Sequence, residues 1–512
     1  MSETRVRQFH VHDFALAGGT EHANPFLVTV SATFTHASGE SIEDIPGFFD
    51  GDGTWIVRFC PTRPGAWRGR TSSDDPRLDG VELPELTCVP NENPNVHGRL
   101  RVDAARPQRF RWEDGAAFLP LGFECDWLFS LHQSMPDHCR EKLDLLVERG
   151  FNYVVTNVYA HTGFSDPGHE WVFGPPRLYV FGGTNDEPDH SRLNVAFFRD
   201  FDALIGELHR RGIVAHLMIQ VQNKHVSWPE RRSPADELYW RYVVARYQAF
   251  ANVVWDVGKE SYYFLRELGS HDYTLERIER IRAADAYGHL VTVHDSLGGS
   301  PAATSPADDA CDFVSDQVHL HDVAKYNREA VRRFRSLGKP YLNIEYGYEE
   351  GAEDIKTYRG GTTAPWEDVL LWTWAIYLGG GHACYYYSHT SWDLVKFDPE
   401  PAGWRRIQDL AEFLRALDVT AMAPDNELVE RGCCLAEPGR RYLAFLPEGG
   451  ELNIDLAAAG DADGGAAIRC EWMDVFTGHR AEAPVEWKGF ATRIGNPLAN
   501  PRHPCAVAIR VG

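Results

Sequence analysis

The chain has 512 residues, room for two to four domains and a large core, and its net charge of −23 argues against nucleic acid and anionic membranes as partners. No apolar stretch approaches the ~18 residues of a membrane span, and the opening MSETRVRQFHVHDF has no basic segment leading into an apolar run. Ten scattered cysteines without a CxxC spacing fit reduced, buried thiols, so a cytoplasmic protein is expected.

Residues 1–95 read as an N-terminal β-sandwich. FLVTVSATFTH and GTWIVRFCP are alternating or apolar runs, divided by GFFDGDG and TRPGAWRG, with no helical period. The Pro/Asn-rich VPNENPNVHG closes this region. From 96 to 415 strands and helices alternate. Eight apolar runs recur, most of them just after a glycine: AAFLPLGFEC, FNYVVTNVY, IVAHLMIQVQ, NVVWDVGKE, HLVTVHDS, CDFVSDQVH, PYLNIEYG and HACYYYSHT. Amphipathic helices lie between several of them. Cys139, Leu143, Leu146 and Val147 share one face, as do Phe197, Phe201, Leu204, Ile205 and Leu208, and Tyr326, Ala330, Phe334 and Leu337. The alternation predicts an α/β fold, a closed (β/α)8 TIM barrel. An open doubly wound sheet is the rival, but no GxGxxG follows the first strand. The loop from Tyr159 to Arg192 is long and carries Phe164, Trp171, Phe173, Tyr179 and Phe181, which suits an ordered wall over a pocket. Residues 420–512 return to β in YLAFLPEGGELNIDLA, IRCEWMDVFTG and CAVAIRVG, and predict a C-terminal β-sandwich.

In such barrels chemistry gathers where the strands end. The first strand ends in Glu124, Asp126 and Trp127, the second in Asn157, Tyr159 and His161, and the third in Gln220, Gln222 and Asn223. The fourth gives Asp256, Lys259 and Glu260, the fifth His294 and Asp295, and the sixth Asp316, His319 and His321. The seventh gives Glu345 and Tyr346, the eighth Tyr386, Tyr387, His389 and Trp392. Polar groups and aromatics on one rim suit a polyol, such as a small glycoside or oligosaccharide. Glu260 and Glu345 stand out, because strands four and seven face each other across the mouth. A retaining glycosidase needs two carboxyls ~5–5.5 Å apart, one as acid/base and one as nucleophile. Glu349, Glu350 and Glu353, just beyond, read as a solvated loop.

Glutamates ending strands four and seven resemble the signature of the largest clan of retaining glycosidases. Within it, FLPLGFECDWLF, ERGFNYVVTNVY and NVVWDVGKES resemble the apiosidase-like barrels. The N-terminal NPFLVTVSATFTHASGE and the C-terminal YLAFLPEGG and WMDVFTG are similar to the β modules that often flank those barrels. The resemblance implies Glu260 as acid/base and Glu345 as nucleophile, with neither cofactor nor metal. One position departs from the clan: Lys259 stands where Asn is usual. A cation beside Glu260 favours its ionised form, the wrong direction for an acid. The lysine is therefore expected to turn away or to meet a carboxylate, with Asp256 the near one in sequence. A bulge at Gly258 is expected to let Lys259 and Glu260 both reach the mouth, with Lys259 a donor to the substrate.

Two other readings compete with the enzyme. A degenerate barrel could bind carbohydrate without catalysis, and Lys259 is its best support. A metal-dependent hydrolase could use His319 and His321 of HLHD, which point the same way on a strand, although strand one carries no HxH. Sugar identity, ring size and anomer stay open, and a homo-oligomer is compatible with the sequence.

Overall fold

The computed structural model describes residues 4–163, 165–295, 309–351, 355, 362–459, 468–485 and 491–512. Phe164 and Glu353 thus lie outside the described residues. Two sheets come first. One has five strands, in the order Thr4–Arg7, Leu86–Val89, Gly65–Ser73, Val30–His36 and Ser41–Pro46; the other has three, His12–Ala17, Thr54–Phe59 and Phe48–Phe49. They share a core in which Phe34 stacks on Phe59, ring centroids 3.9 Å apart, with Trp55 and Trp67 fully buried. The strand Thr54–Phe59 shows why the run TWIVRF is apolar on both faces. Trp55, Val57 and Phe59 enter the sandwich core, whereas Ile56 packs with the barrel core and Arg58 is hydrogen-bonded to Asp202 at 2.9 Å.

A short antiparallel sheet follows: Leu100–Val102, Phe110–Trp112 and Ala117–Phe118. It corrects the sequence reading, which took AAFLPLGFEC as one barrel strand. Ala117–Phe118 pairs backwards with Phe110–Arg111, and the barrel begins only at Leu121, beyond Pro120. Leu100, Phe110, Trp112 and Phe118 share a core with Tyr153, Val214, Val254, Phe313 and Leu342 from the barrel interior, so this sheet plugs the end where the strands start.

The barrel itself is nearly closed, in nine parallel segments. In chain order these are Leu121–Glu124, Tyr153–Asn157, Val214–Val221, Val253–Lys259, Val291–Thr292, His294–Asp295, Val314–Gln317, Tyr341–Glu345 and His382–Tyr387. Leu121–Glu124 pairs with both Tyr153–Asn157 and His382–Tyr387, which joins the ends of the circle. The fifth position is split at Val293: its first half pairs with the fourth strand and its second with the sixth. Helices follow most strands. In Val195–Arg210, Asn194 caps the N-terminus by accepting the N–H groups of Ala196 and Phe197, and Phe197, Phe201, Leu204, Ile205 and Leu208 are buried. In Pro136–Glu148 the expected face holds for Cys139, Leu143 and Leu146, but Val147 is 43% exposed. The connection from fifth to sixth position passes through residues 296–308, outside the described set.

Beyond the barrel a six-stranded antiparallel sheet, Ala423–Pro424, Cys433–Glu437, Arg441–Leu446, Cys505–Val511, Ile468–Asp474 and Arg480–Ala483 in order, is backed by the pair Leu452–Asp455 and Ala491–Ile494. Trp374 stacks on Phe445 at 5.7 Å, which explains a helix, Trp366–Leu378, with apolar residues all round. All ten cysteines are buried, with no disulfide among them. Among the described residues, no helix is long and apolar enough to cross a membrane.

Candidate active site

The fourth strand runs in register with the third through the pairs Gln220–Gly258 and Val221–Lys259, with no bulge. The expected irregularity at Gly258 is absent. Gly258 is there for space: a Cβ would sit 2.7 Å from the Gln220 carbonyl oxygen. The chain turns one step later, at Glu260 itself, whose φ is +54°. A left-handed backbone at a non-glycine residue costs ~1–2 kcal/mol. It brings into one cluster two consecutive side chains that a straight strand would point apart.

Lys259 is buried, and its ammonium meets three carboxyls. It bonds Glu124 Oε1, donates to Asp126 Oδ1 at 3.1 Å and lies 3.5 Å from Glu345 Oε2. Asp256 is not its partner. That carboxylate takes His216 Nε2 at 2.7 Å and the backbone N–H groups of Gly258 and His294 at 2.9 and 3.0 Å, while Tyr153 closes the chain on His216 Nδ1 at 2.7 Å. Asp256 therefore fixes the strand ends from below and leaves the lysine to the carboxylates of the first strand.

Donors converge on Glu345. Tyr348 donates its hydroxyl to Oε1, and Gln317 Nε2 reaches the same oxygen at 2.8 Å. His294 and His319 stand 3.8 and 3.9 Å away. Both imidazoles are pushed below the ordinary histidine range, chiefly by burial. Glu260 accepts from Asn223 Nδ2 at 2.6 Å. Burial, and next the charge of Glu345, lift its pKa to about 7; Lys259 and Lys224 pull the other way and do not prevail. Burial likewise raises Glu124 well above the usual carboxyl range, against the opposing charge of Lys259. Asp126 also loses solvent, but two lysines and the Tyr386 hydroxyl at 3.0 Å hold it at about 2. Burial alone would lower Lys259, yet Asp126, Glu124 and Glu345 raise it well above its ordinary value.

Other expected site residues lie at different distances from this cluster. Asn157 is fully buried, and neither its Oδ1 nor its Nδ2 has a protein hydrogen-bond partner. Trp392 offers its ring face to Lys224. His389 is buried, its ring 5.3 Å from that of Tyr387. Gln222 is held by Arg231. Tyr346 points away: its hydroxyl meets Thr373 Oγ1 at 2.6 Å on the helix behind. Tyr159 packs among Phe129, Tyr179 and Phe197, with its hydroxyl 3.1 Å from His161 Nδ1. Trp127 is buried against Phe129. His321 is exposed, its ring against His319 and Trp372. Among the described residues, no group of three or more His, Cys, Asp or Glu is arranged to hold a metal ion. Glu349 is buried rather than solvated. It accepts from Tyr385 at 2.5 Å and from Gly403 N–H at 3.2 Å, and burial lifts it to about 7.

Three members of the cluster were not singled out from sequence: Gln317, Tyr348 and Lys224. Lys224 is buried, with Nζ 3.0 Å from the Trp392 ring centroid and 3.5 Å from Asp126 Oδ2. Its signal was its place: QVQNK puts it directly behind Asn223 at the end of an apolar run. Described residues of the long second loop are tied down beside it. The Lys224 carbonyl accepts the N–H groups of His161 and Thr162, and Asp393 ties down Gly163 and Ser165.

Residues 106–414, more than half of the chain, match the model of the apiosidase-like catalytic domain. The chain belongs to the apiosidase-like family. Residues 5–74 match DUF5060, a domain of unknown function. Among solved structures, one from Bacteroides vulgatus ATCC 8482, itself only provisionally assigned as a glycoside hydrolase, superposes with a TM-score of 0.79 at 21% identity, with 100% of each chain covered. A glycoside hydrolase family 5 member from the same organism gives 0.61 at 16%, over 81% of this chain and 93% of the other. A further glycoside hydrolase gives 0.59 at 14%, over 81% and 97%. At these identities the likeness is one of fold. No curated protein sequence matches this apiosidase-like chain.

Proposed function

We propose that the protein is a retaining glycoside hydrolase acting on small glycosides or oligosaccharides. One observation carries this reading. Two glutamates from opposite strand ends share the mouth, one ringed by donors and the other lifted to about 7. A buried carboxyl that keeps its proton near neutral pH, beside a second that accepts several hydrogen bonds, suits the acid/base and nucleophile of a double displacement. Glu345 attacks the anomeric carbon and the bond to the leaving oxygen breaks, while Glu260 gives that oxygen its proton. Esterification removes the charge of Glu345, which had been raising Glu260. Glu260 is then better able to stay ionised and to take a proton from the water that releases the sugar.

Substrate class follows from the unmatched polar atoms. Glu124 Oε2, both amide atoms of Asn157, Asn223 Oδ1 and Glu345 Oε2 are buried without a hydrogen bond from the protein. Hydroxyl groups both donate and accept, so a sugar ring satisfies such a mixed set. Furanosides such as apioside, arabinofuranoside or galactofuranoside, and pyranosides, all meet this requirement, as does release of a disaccharide. Lys259, the residue that most favours a binding-only role, is engaged by carboxylates and does not quench Glu260. Ten buried cysteines with no disulfide among them support a cytoplasmic setting. The test is a panel of 4-nitrophenyl glycosides and plant diglycosides, with product stereochemistry read by NMR. Retention on any member supports the reading. Inversion, or sugar binding without turnover across the panel, overturns it.

A further inference from the structure

The two oxygens of Glu345 have different surroundings. Oε1 accepts from the Tyr348 hydroxyl and from Gln317 Nε2 at 2.8 Å. Oε2 is buried and accepts no hydrogen bond from the protein, yet the Lys259 ammonium lies 3.5 Å from it. His294 Nε2 follows at 3.8 Å, but burial pushes that imidazole well below its ordinary range and so keeps it neutral. Among the described residues, the positive charge at ion-pair distance from Oε2 is therefore that of Lys259. The ammonium is anchored from the other side. Glu124 Oε1 and Asp126 Oδ1, the latter at 3.1 Å, hold it toward the end of the first strand. The Tyr386 ring lies 5.4 Å from it, and the Tyr386 hydroxyl fixes the second oxygen of Asp126 at 3.0 Å. A lysine has three N–H groups and no acceptor. With three carboxyls around it, none is left for a sugar hydroxyl.

We propose that Lys259 is a positioning residue for Glu345, its tethered charge holding Oε2 ionised while leaving that oxygen free of any hydrogen bond from the protein. An opposite charge this close favours the ionised form of a carboxyl, and at 3.5 Å it does so without a short bond that would occupy a lone pair. The other groups facing Glu345 come from around the mouth. Tyr348 and Gln317 donate to Oε1, and the His319 imidazole stands 3.9 Å from the same oxygen. Glu124 and Glu260, raised first by burial and also by the charge of Glu345, oppose its ionisation in return. Lys224 pairs with the far oxygen of Asp126, at 3.5 Å. What Oε2 does next rests on the reading of Glu345 as nucleophile. It forms the bond to the anomeric carbon as the bond to the leaving oxygen breaks, and Glu260 gives that oxygen its proton. In the second half the bond from Oε2 to carbon breaks and its electron pair returns to Oε2, while water gives a proton to Glu260 and supplies the oxygen of the new bond. Glu124 and Asp126 keep Lys259 in place meanwhile, so the same charge receives the carboxylate when it re-forms.

The experiment compares wild type with Lys259→Met, Lys259→Gln and Lys259→Arg. The Gln variant keeps hydrogen-bond donors for Glu124 and Asp126 without the charge, so it tests the same point should the Met variant fail to fold. In the free enzyme, the Glu345 carboxyl is followed by 13C NMR, its signal identified by its loss in Glu345→Gln. At pH 5 the signal should move toward the carboxylic-acid position in the Met and Gln variants and stay near wild type in Lys259→Arg. In parallel, the 2,4-dinitrophenyl 2-deoxy-2-fluoroglycoside of the best panel sugar is used to trap a glycosyl-enzyme on Glu345, located by mass spectrometry. Between pH 7.5 and pH 5 the trapping rate should fall about tenfold more in the Met and Gln variants than in wild type, and Lys259→Arg should restore the wild-type profile. A Met or Gln variant that keeps the wild-type melting temperature and an unmoved Glu345 signal overturns the inference. So does a moved signal without the extra loss of trapping at pH 5, if the wild type itself is trapped on Glu345. A moved signal when no enzyme form is ever trapped there sustains the hold of Lys259 on Glu345 and overturns the double-displacement reading instead.

Discussion

Glu260 and Glu345 are the same residue type at equivalent strand ends, and their neighbours alone separate them. Glu345 receives Tyr348 and Gln317, with Lys259 3.5 Å away; Glu260 receives Asn223 and loses solvent. Two outcomes follow from that difference. Glu345→Gln is expected to abolish the covalent step on every substrate. Glu260→Gln is expected to cost ~10²–10⁴-fold in kcat/KM on glycosides with poor leaving groups but to spare kcat/KM on dinitrophenyl glycosides, whose departure needs no protonation, while kcat on these falls because no base activates the releasing water. Values of kcat/KM across a leaving-group series check this, and equal losses in kcat/KM across the series would reverse the assignment. The pH behaviour has a defined sign. An acid must be protonated, so kcat/KM falls as pH rises through about 7. Stability obeys the same shift: between 4.5 and about 7 the unfolded chain has lost a proton that the folded chain retains, so folding weakens as pH rises across that window. Glu260→Gln removes the effect and is expected to raise the melting temperature at pH 8 but not at pH 4. A difference of the same size at both pH values would show that Glu260 is not the group responsible.

At the scale of the strand, the position of Glu260 depends on how closely the third and fourth strands approach. Gly258 lies against the Gln220 carbonyl and the Phe264 ring, where a Cβ would stand 2.7 and 3.1 Å from the nearest atoms. Neither neighbour is a loose side-chain end. Gly258→Ala is therefore expected to cost about 1–3 kcal/mol by overpacking, measured by urea denaturation. It should also lower kcat by displacing Glu260 two residues on. Unchanged stability would mean that the strands yield without strain. The bulge expected at this glycine was a plausible reading of sequence, since glycine in a strand often marks one. Periodicity could not distinguish a glycine needed for its dihedral angle from one needed for its size. The same limit hid Glu349. A carboxylate in a run of acidic residues looks solvated until Tyr385 and the Gly403 N–H are placed against it.

At the scale of the whole molecule, the N-terminal sheets are joined to the barrel through buried charge. Asp202 takes Arg58 at 2.9 Å and both Arg246 Nε and a terminal nitrogen at 2.9 and 2.8 Å, while Arg246 also reaches Asp50. Asp202→Ala leaves two buried guanidiniums short of an anion and is expected to cost about 3–5 kcal/mol, seen as a lowered midpoint in urea; a loss under ~1 kcal/mol would assign the joint to apolar packing instead. What the sequence determined by itself is what repeats over short spacings. The two-residue alternation of TWIVRF, the helical faces of Phe197 to Leu208 and the polar residues that stop each apolar run are all set within a few positions of chain. They were enough to draw the barrel and its β flanks, and to place Glu260 and Glu345 at the ends of the fourth and seventh strands. The partner of Lys259 was not readable in this way. The nearest carboxylate in the chain, Asp256, belongs to His216, and the lysine pairs with Glu124 and Asp126, 135 and 133 residues away. Pairing of buried charges depends on which strand ends meet across the mouth. That is fixed by closure of the barrel between its first and eighth strands, a property of the tertiary structure that no local pattern carries.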